Sequence, residues 1–190
     1  MSRFTKIPSD TFDGLQLDAG VLLNTFDPTS DAAIEDSAII CATTGGFEAV
    51  AKPTYADMGE DVDNCPVNMM ELKKLEGWEC TIKFTALTAS AEMIRLALGA
   101  ADKTVATGKV VPRRSLSQDD YADVWWVGDK ANGGLVAVKL LNALSTEGLT
   151  LKTEKNSKGQ IEVTLTGHVS LSAQDIMPME FYSIDPSDEG

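Results

Sequence analysis

Residues 77–102 constrain the fold most, because the hydrophobic period changes partway along them. Trp78, Cys80, Ile82, Phe84 and Ala86 alternate with Glu79, Thr81, Lys83 and Thr85. Period-2 alternation predicts a strand with one apolar face on a core and one polar face toward water. At Thr88 the period shifts. Ile94, Ala97, Leu98 and Ala101 follow the i, i+3, i+4, i+7 spacing of a helix stripe. Thr88 and Ser90 are the candidate N-caps, and Gly99 stands near the expected helix stop. A half-buried strand therefore runs into a short amphipathic helix, which other strands need to close one side of their core.

Those other strands are legible in turn. Leu15, Leu17, Ala19, Val21 and Leu23 alternate, and the stretch 26–30 (FDPTS) reads as a turn. Residues 37–44 form a β-prone run that Gly45-Gly46 breaks or bulges, with Phe47, Ala49 and Ala51 continuing it as far as Pro53. Residues 103–108 read as a turn. Residues 124–127 (VWWV) read as a strand with one tryptophan on each side, the outward one a candidate interface anchor. Residues 135–144 are apolar on both faces apart from Lys139 and Asn142, which predicts a strand covered on both sides. The α-helix or a neighbouring subunit is the expected cover. Residues 149–154 and 161–171 flank a hairpin tip at 156–159 (NSKG). Ile161, Val163, Leu165, Val169 and Leu171 are expected on one face, and Glu162, Thr164, Thr166, His168 and Ser170 on the other. The expected fold is mainly β, a sandwich or partial barrel, with one short flanking helix.

Between Pro53 and Gly77 no clean period survives. A structureless loop of that length is uncommon in a compact domain and is often functional. Residues 53–77 carry Asp57, Glu60, Asp61, Asp63, Glu71 and Glu76, with a helical turn expected over 69–75. They also carry Tyr55, Met58, Val62, Met69 and Met70, apolar residues a flexible linker does not need. An interaction loop that orders on assembly is the expectation. The chain of 190 residues is read as one domain, with an extended arm over 1–11 and a frayed acidic tail over 185–190.

Charge narrows the partners. Sixteen Lys+Arg against 29 Asp+Glu leave a net charge of −13, which disfavours gripping a phosphate backbone. Acidity also serves solubility, and charge by itself does not separate the two. Arg113 and Arg114 are an adjacent pair that could anchor a neighbour's carboxylate. No apolar run approaches the ~20 residues that cross a bilayer, and the first residues lack a signal-peptide core. Folding in a cytoplasm is expected. Cys41, Cys65 and Cys80 are odd in number and widely spaced, so neither a disulfide framework nor a zinc site is indicated.

Chemistry is sparse. His168 lies on a polar strand face without a triad around it. Asp61-x-Asp63-Asn64 lacks the glycine and the bidentate glutamate of a calcium loop, where Leu72 stands instead. Gly45-Gly46 and Gly133-Gly134 precede no helix, so no phosphate loop is indicated. Asp119-Asp120 are adjacent only in sequence, which defines no cleft. The expectation is a protein without catalytic residues, cofactor or metal.

Taken in order, six segments resemble the major tail (tail tube) proteins of tailed bacteriophages and prophages of Gram-positive bacteria. They are FTKIPSDTFDGLQLDAGVLL, ATTGGFEAVAKPTYADMGEDVDNCP, LKKLEGWECTIKFTALTASAEMIRLALGAAD, VVPRRSLSQDDYADVWWVGD, NGGLVAVKLLNALSTEGLTL and KGQIEVTLTGHVSL. Their order, over nearly the whole chain, carries the resemblance. It implies hexameric rings that stack into a tube, with one sheet of each subunit lining a lumen through which DNA passes. The long loop and the terminal arms would join rings. It implies as partners other copies of the chain, a tape measure protein, a tail terminator and distal tail or baseplate proteins. It also implies a virion location after synthesis in the host cytoplasm. Subunit-interface candidates are then Tyr55, Asp57, Met58, Glu60, Asp61, Met69, Met70, Arg113, Arg114, Trp125 and Trp126. Lumen candidates are Glu79, Thr81, Glu162, Thr164 and Thr166, with Lys83 awkward for a repulsive wall. The rival is a monomeric β-sandwich accessory or decoration module that binds carbohydrate or protein, for which Trp125, Trp126 and Tyr121 are the only candidate platform.

Overall fold

The computed structural model describes residues 7–30 and 32–186. The described chain is mainly β, with ten strands and one α-helix. In order they are β1 (Gln16–Leu23), β2 (Thr43–Asp57), β3 (Lys73–Ala86), α1 (Ala91–Leu98), β4 (Ala101–Thr104), β5 (Lys109–Pro112), β6 (Ala122–Lys130), β7 (Leu135–Ser145), β8 (Thr150–Lys152), β9 (Gln160–Thr166) and β10 (Met179–Ile184).

All pairings are antiparallel. One path runs β1-β6-β7-β9-β3-β2, with β10 on β7 and β8 on β9, while β4-β5 is a separate ribbon. The long strand β7 belongs to both layers. Leu135 to Leu140 pair with β6 and β10, whereas Leu144 and Ser145 pair with β9. The corner falls at Asn142, whose φ is +46°. Asparagine tolerates that left-handed backbone, and the surroundings hold it there. Its N–H donates to Asp123 Oδ1 at 3.0 Å and its Nδ2 to the His168 carbonyl at 2.9 Å.

The main core lies between the layers. Leu22, Val124, Trp126, Val138 and Leu140 meet Cys80, Ile82, Phe84, Ile161, Val163 and Leu165, with Met93 and Ala97 of α1 closing one side. Helix α1 starts where Ser90 Oγ accepts the Met93 N–H at 3.1 Å, and it stops at Gly99, φ +73°. Ser145 Oγ donates to the Ala97 carbonyl at 2.7 Å, so the helix end is bonded to the end of β7. Of the expected stripe, Ala97 and Ala101 are buried and Ile94 packs partly buried on the core, but Met93 joins it and Ala101 belongs to β4, because the helix ends at Leu98.

Both faces of β6 and β7 are covered, as their apolar pattern requires. The second cover is neither helix nor neighbour. Phe26 and Ala38, from the segment that links β1 to β2, pack there against Leu23, Trp125, Val127 and Ala137.

Several boundaries differ from the sequence reading. Residues 53–77 are not a structureless loop: β2 runs on through Pro53 to Asp57 and pairs with Lys73 to Trp78 of β3. Proline is tolerated because β2 is the sheet edge. Only residues 58–72 form a loop, and the helical turn there is three residues of 3-10 helix, Met70–Leu72. Strand β9 ends at Thr166, so Val169 and Leu171 leave the core face and stand exposed. Of the arm over 1–11, residues 1–6 lie outside the described residues. The rest is turn rather than extended, the Thr11 N–H donating to the Pro8 carbonyl. Of the tail over 185–190, residues 187–190 lie outside the described residues. Asp185 is tied rather than frayed: Asn132 Nδ2 donates to its Oδ1 at 3.0 Å, and buried Lys130 pairs with it.

Candidate functional site

Two surfaces collect the residues that the sequence singled out. The first is the far end of the β2–β3 hairpin. Phe47, Ala49 and Ala51 pack on the core opposite Phe84, Ile82 and Cys80. Strand pleat carries the same face outward to the pairs Pro53–Trp78 and Tyr55–Leu75. There the sandwich no longer covers it, and Tyr55, Leu75 and Trp78 are exposed. The apolar side of the hairpin thus outruns the domain that buries it.

The loop beyond is built, not slack. Asp57 Oδ1 accepts the Gly59 N–H at 3.1 Å, and Oδ2 accepts the Asn68 N–H at 3.0 Å, with Lys73 Nζ 3.9 Å away. These bonds, the one from Gly59 first, hold the Asp57 carboxyl below the usual range. The Met58 N–H donates to the Leu72 carbonyl at 2.9 Å and closes the loop. Asp57 therefore organises the tip through bonds within its own chain. Tyr55, Met58, Glu60, Asp61, Met69 and Met70 are each exposed. Val67 and Met70 are 83% and 80% exposed. Residues 58–72 carry Glu60, Asp61, Asp63 and Glu71 and no Lys or Arg.

The second surface is the outer face of β2, β3 and β9. Register places Thr81 opposite Thr166, Lys83 opposite Thr164 and Thr85 opposite Glu162. On the other flank Glu48 faces Lys83 and Lys52 faces Glu79. The lumen candidates Glu79, Thr81, Glu162, Thr164 and Thr166 therefore share one face. Thr164 is the exception to exposure: its Oγ1 donates to Glu147 Oε2 at 2.8 Å, and it is buried beneath that side chain. Lys83 and Lys52 each lie across from a glutamate, and Lys152 pairs with Glu162. The face is charge-alternating, with Glu48, Glu79, Glu147 and Glu162 against Lys52, Lys83 and Lys152. The acidity of the chain is concentrated elsewhere.

Trp125 and Trp126 do point to opposite sides, but neither is an interface anchor. They are 6% and 7% exposed. Trp126 stacks on Phe47 with centroids 4.7 Å apart, and its Nε1–H donates to the Ala19 carbonyl at 2.9 Å. Trp125 packs against Phe26 and Tyr182, with Lys139 Nζ 5.3 Å from its ring centre. Tyr121 sits edge-on to His168 at 5.3 Å. The carbohydrate platform expected from these three aromatics is absent. His168 lies past the end of β9, its Nδ1 3.2 Å from the Asn142 carbonyl, and braces the β7 corner.

The two arginines part company. Arg113 is consumed internally: Nε lies 2.9 Å from Asp102 Oδ1, although its N–H is not aimed at that oxygen, and Nη2 pairs with buried Asp120. Asp120 Oδ2 also accepts the Ser117 N–H at 2.8 Å, completing a capping box. Arg114 is exposed and forms no ion pair among the described residues. Sequence reasoning missed the ribbon β4–β5 beside them, which exposes Val105 and Val111, with Leu116 following. An unpaired basic residue amid a short β-branched run is the signal that could have found it.

No protein-family model and no curated protein matches the chain. Among solved structures it is similar to a chain of "Virion of native gene transfer agent (GTA) particle", at 8% identity and a TM-score of 0.44. The match covers 86% of this chain and 95% of that one. At that degree of likeness, the fold rests on the sheet topology described above.

Proposed function

We propose that the chain is a structural virion protein that polymerises as stacked, hexameric rings into a tail tube through which DNA leaves the particle. The observation that carries this reading is the β2–β3 hairpin, whose apolar side runs past its own core into solvent. A monomer gains nothing from Tyr55, Leu75, Trp78, Val67 and Met70 in water, whereas a neighbouring copy would bury them. The ordered resemblance of six segments to tail tube proteins supports the same role. So does the edge strand β2, fifteen residues long and paired on its β3 side only among the described residues. Ring closure is one way to remove such an edge.

In this reading the outer face of β2, β3 and β9 lines the lumen. A lysine binds DNA by displacing counterions from phosphate. Lys52, Lys83 and Lys152 already face glutamates, so a passing phosphate gains little there. The wall repels weakly and holds nothing. The protein performs no catalytic step and needs no cofactor. Its partners are copies of itself, a tape measure protein, a tail terminator and distal tail or baseplate proteins. It folds in the host cytoplasm and ends in the virion.

The test is the double substitution Tyr55→Glu with Met58→Glu. Both side chains are exposed, so the melting temperature should stay within a few degrees of the wild type. Assembly into sedimentable polymer should be lost. Unchanged polymerisation would defeat the hairpin's assigned role.

A further inference from the structure

The hairpin tip needs a receptor on the next copy, and the charge map supplies one. From residue 58 to 72 the tip has Glu60, Asp61, Asp63 and Glu71 without a single cation. From residue 103 to 116 the chain has Lys103, Lys109, Arg113 and Arg114 without a single carboxylate. Within that second stretch, Lys103 pairs with Glu92 and Arg113 with Asp102 and Asp120. Lys109 and Arg114 are exposed and form no ion pair among the described residues.

Apolar side chains accompany the charge on both sides. Met58, Val62, Val67 and Met70 are exposed on the tip, and Val105, Val111 and Leu116 on or beside the ribbon. Register places Lys109 opposite Thr104 and Val111 opposite Asp102, the side of the ribbon away from buried Ala101. Among the described residues, other exposed cations lie close in sequence at Lys73 and Lys74, on the hairpin's own β3 strand beside exposed Leu75, and at Lys155 and Lys158, on the β8–β9 turn that follows exposed Leu151. Outside the hairpin itself, the ribbon and the residues after it combine two exposed, unpaired cations with three exposed apolar side chains.

The two surfaces leave β3 by opposite ends: the tip precedes Lys73, while α1 and the ribbon follow Ala86. That polarity suits a head-to-tail contact, in which one copy's tip meets the next copy's ribbon.

We propose that the acidic, apolar tip of the β2–β3 hairpin docks on the basic, apolar β4–β5 ribbon of a second copy, with Glu60 and Asp61 facing Lys109 and Arg114. This rests on the stacked-ring reading and specifies which surfaces meet in it. Complementary charge sets register and encounter, and the valines and methionines supply buried area.

A charge swap tests the pairing. Glu60→Lys with Asp61→Lys should raise the protein concentration for half-maximal polymer about tenfold or more, as should Lys109→Glu with Arg114→Glu. The chain carrying all four substitutions should recover to near the wild-type concentration. Either reversal polymerising as the wild type does, or a swap that recovers nothing, would overturn the docking and leave the stacked-ring reading standing.

If the wild type itself forms no polymer, a second readout decides. A Val62→Cys chain is mixed with a Leu116→Cys chain, both carrying Cys65→Ser, and oxidised mildly at high concentration. Mixed disulfide dimers should exceed self-paired ones several-fold. Their absence would overturn the docking.

Discussion

The two layers of the sandwich treat their outer faces in opposite ways. In the layer β1-β6-β7-β10 the central strands β6 and β7 are apolar on both sides, and the segment bearing Phe26 folds back to cover Trp125. The layer β2-β3-β9-β8 is apolar toward the core and charge-alternating outside. The first layer therefore covers the outer face of β6 and β7 within one chain, although Leu17 of β1 and Phe181 of β10 stay exposed. The second leaves an uncovered polar face and, where its hairpin outruns the core, an uncovered apolar one. Stability should reside in the first layer and assembly in the second.

Substitutions can break that contrast, beginning with the largest effect. Trp126→Ala removes the stack on Phe47 and the bond to Ala19, and should cost about 3–5 kcal/mol in chemical denaturation. A result near zero would mean that the doubly covered layer is not the stable one. Asn142→Ala should cost about 1–3 kcal/mol, because alanine resists φ +46° and the Nδ2 bond to the His168 carbonyl is lost. By contrast Glu48→Gln, on the exposed face, should change stability by about 0.5 kcal/mol or less. It removes one charge opposite Lys83 and leaves the core untouched.

Asp57 adds a pH dependence confined to the hairpin. Its carboxyl titrates below the usual 3.8 in the folded chain. A depressed folded pKa contributes order that is fully present above the unfolded value and is lost as pH falls through the folded one. Amide exchange at Gly59 and Asn68 should therefore be slow at neutral pH and accelerate only below about pH 4 relative to the core. Asp57→Ala should show fast exchange at both pH values. Equal protection in wild type and variant at neutral pH would remove Asp57 from the account.

Local periodicity revealed part of this architecture. Alternation from Trp78 to Ala86 and from Ile161 to Leu165 marked β3 and β9, and Ser90 and Gly99 bracketed α1. The polar residues on those strands were expected to share a face, and register brings them side by side. What stayed hidden was non-local. The cover on Trp125 comes from Phe26 and Tyr182, far apart in sequence, so adjacent tryptophans looked like a surface platform. Residues 53–57 and 73–77 are charge-rich and contain a proline, and only their mutual pairing makes them strands. Asp57 resembled one more interaction-loop acid, because its bonds to Gly59 and Asn68 exist only once that pairing has closed the loop.

The central claim is that a surface left bare by one copy is covered by the next. Negative-stain electron microscopy of the purified chain, concentrated and left to assemble, tests it most directly. The account predicts hollow tubes of stacked rings in the wild type and single small particles in the Tyr55→Glu, Met58→Glu chain. Single particles in both, at every concentration and salt tried, would contradict it.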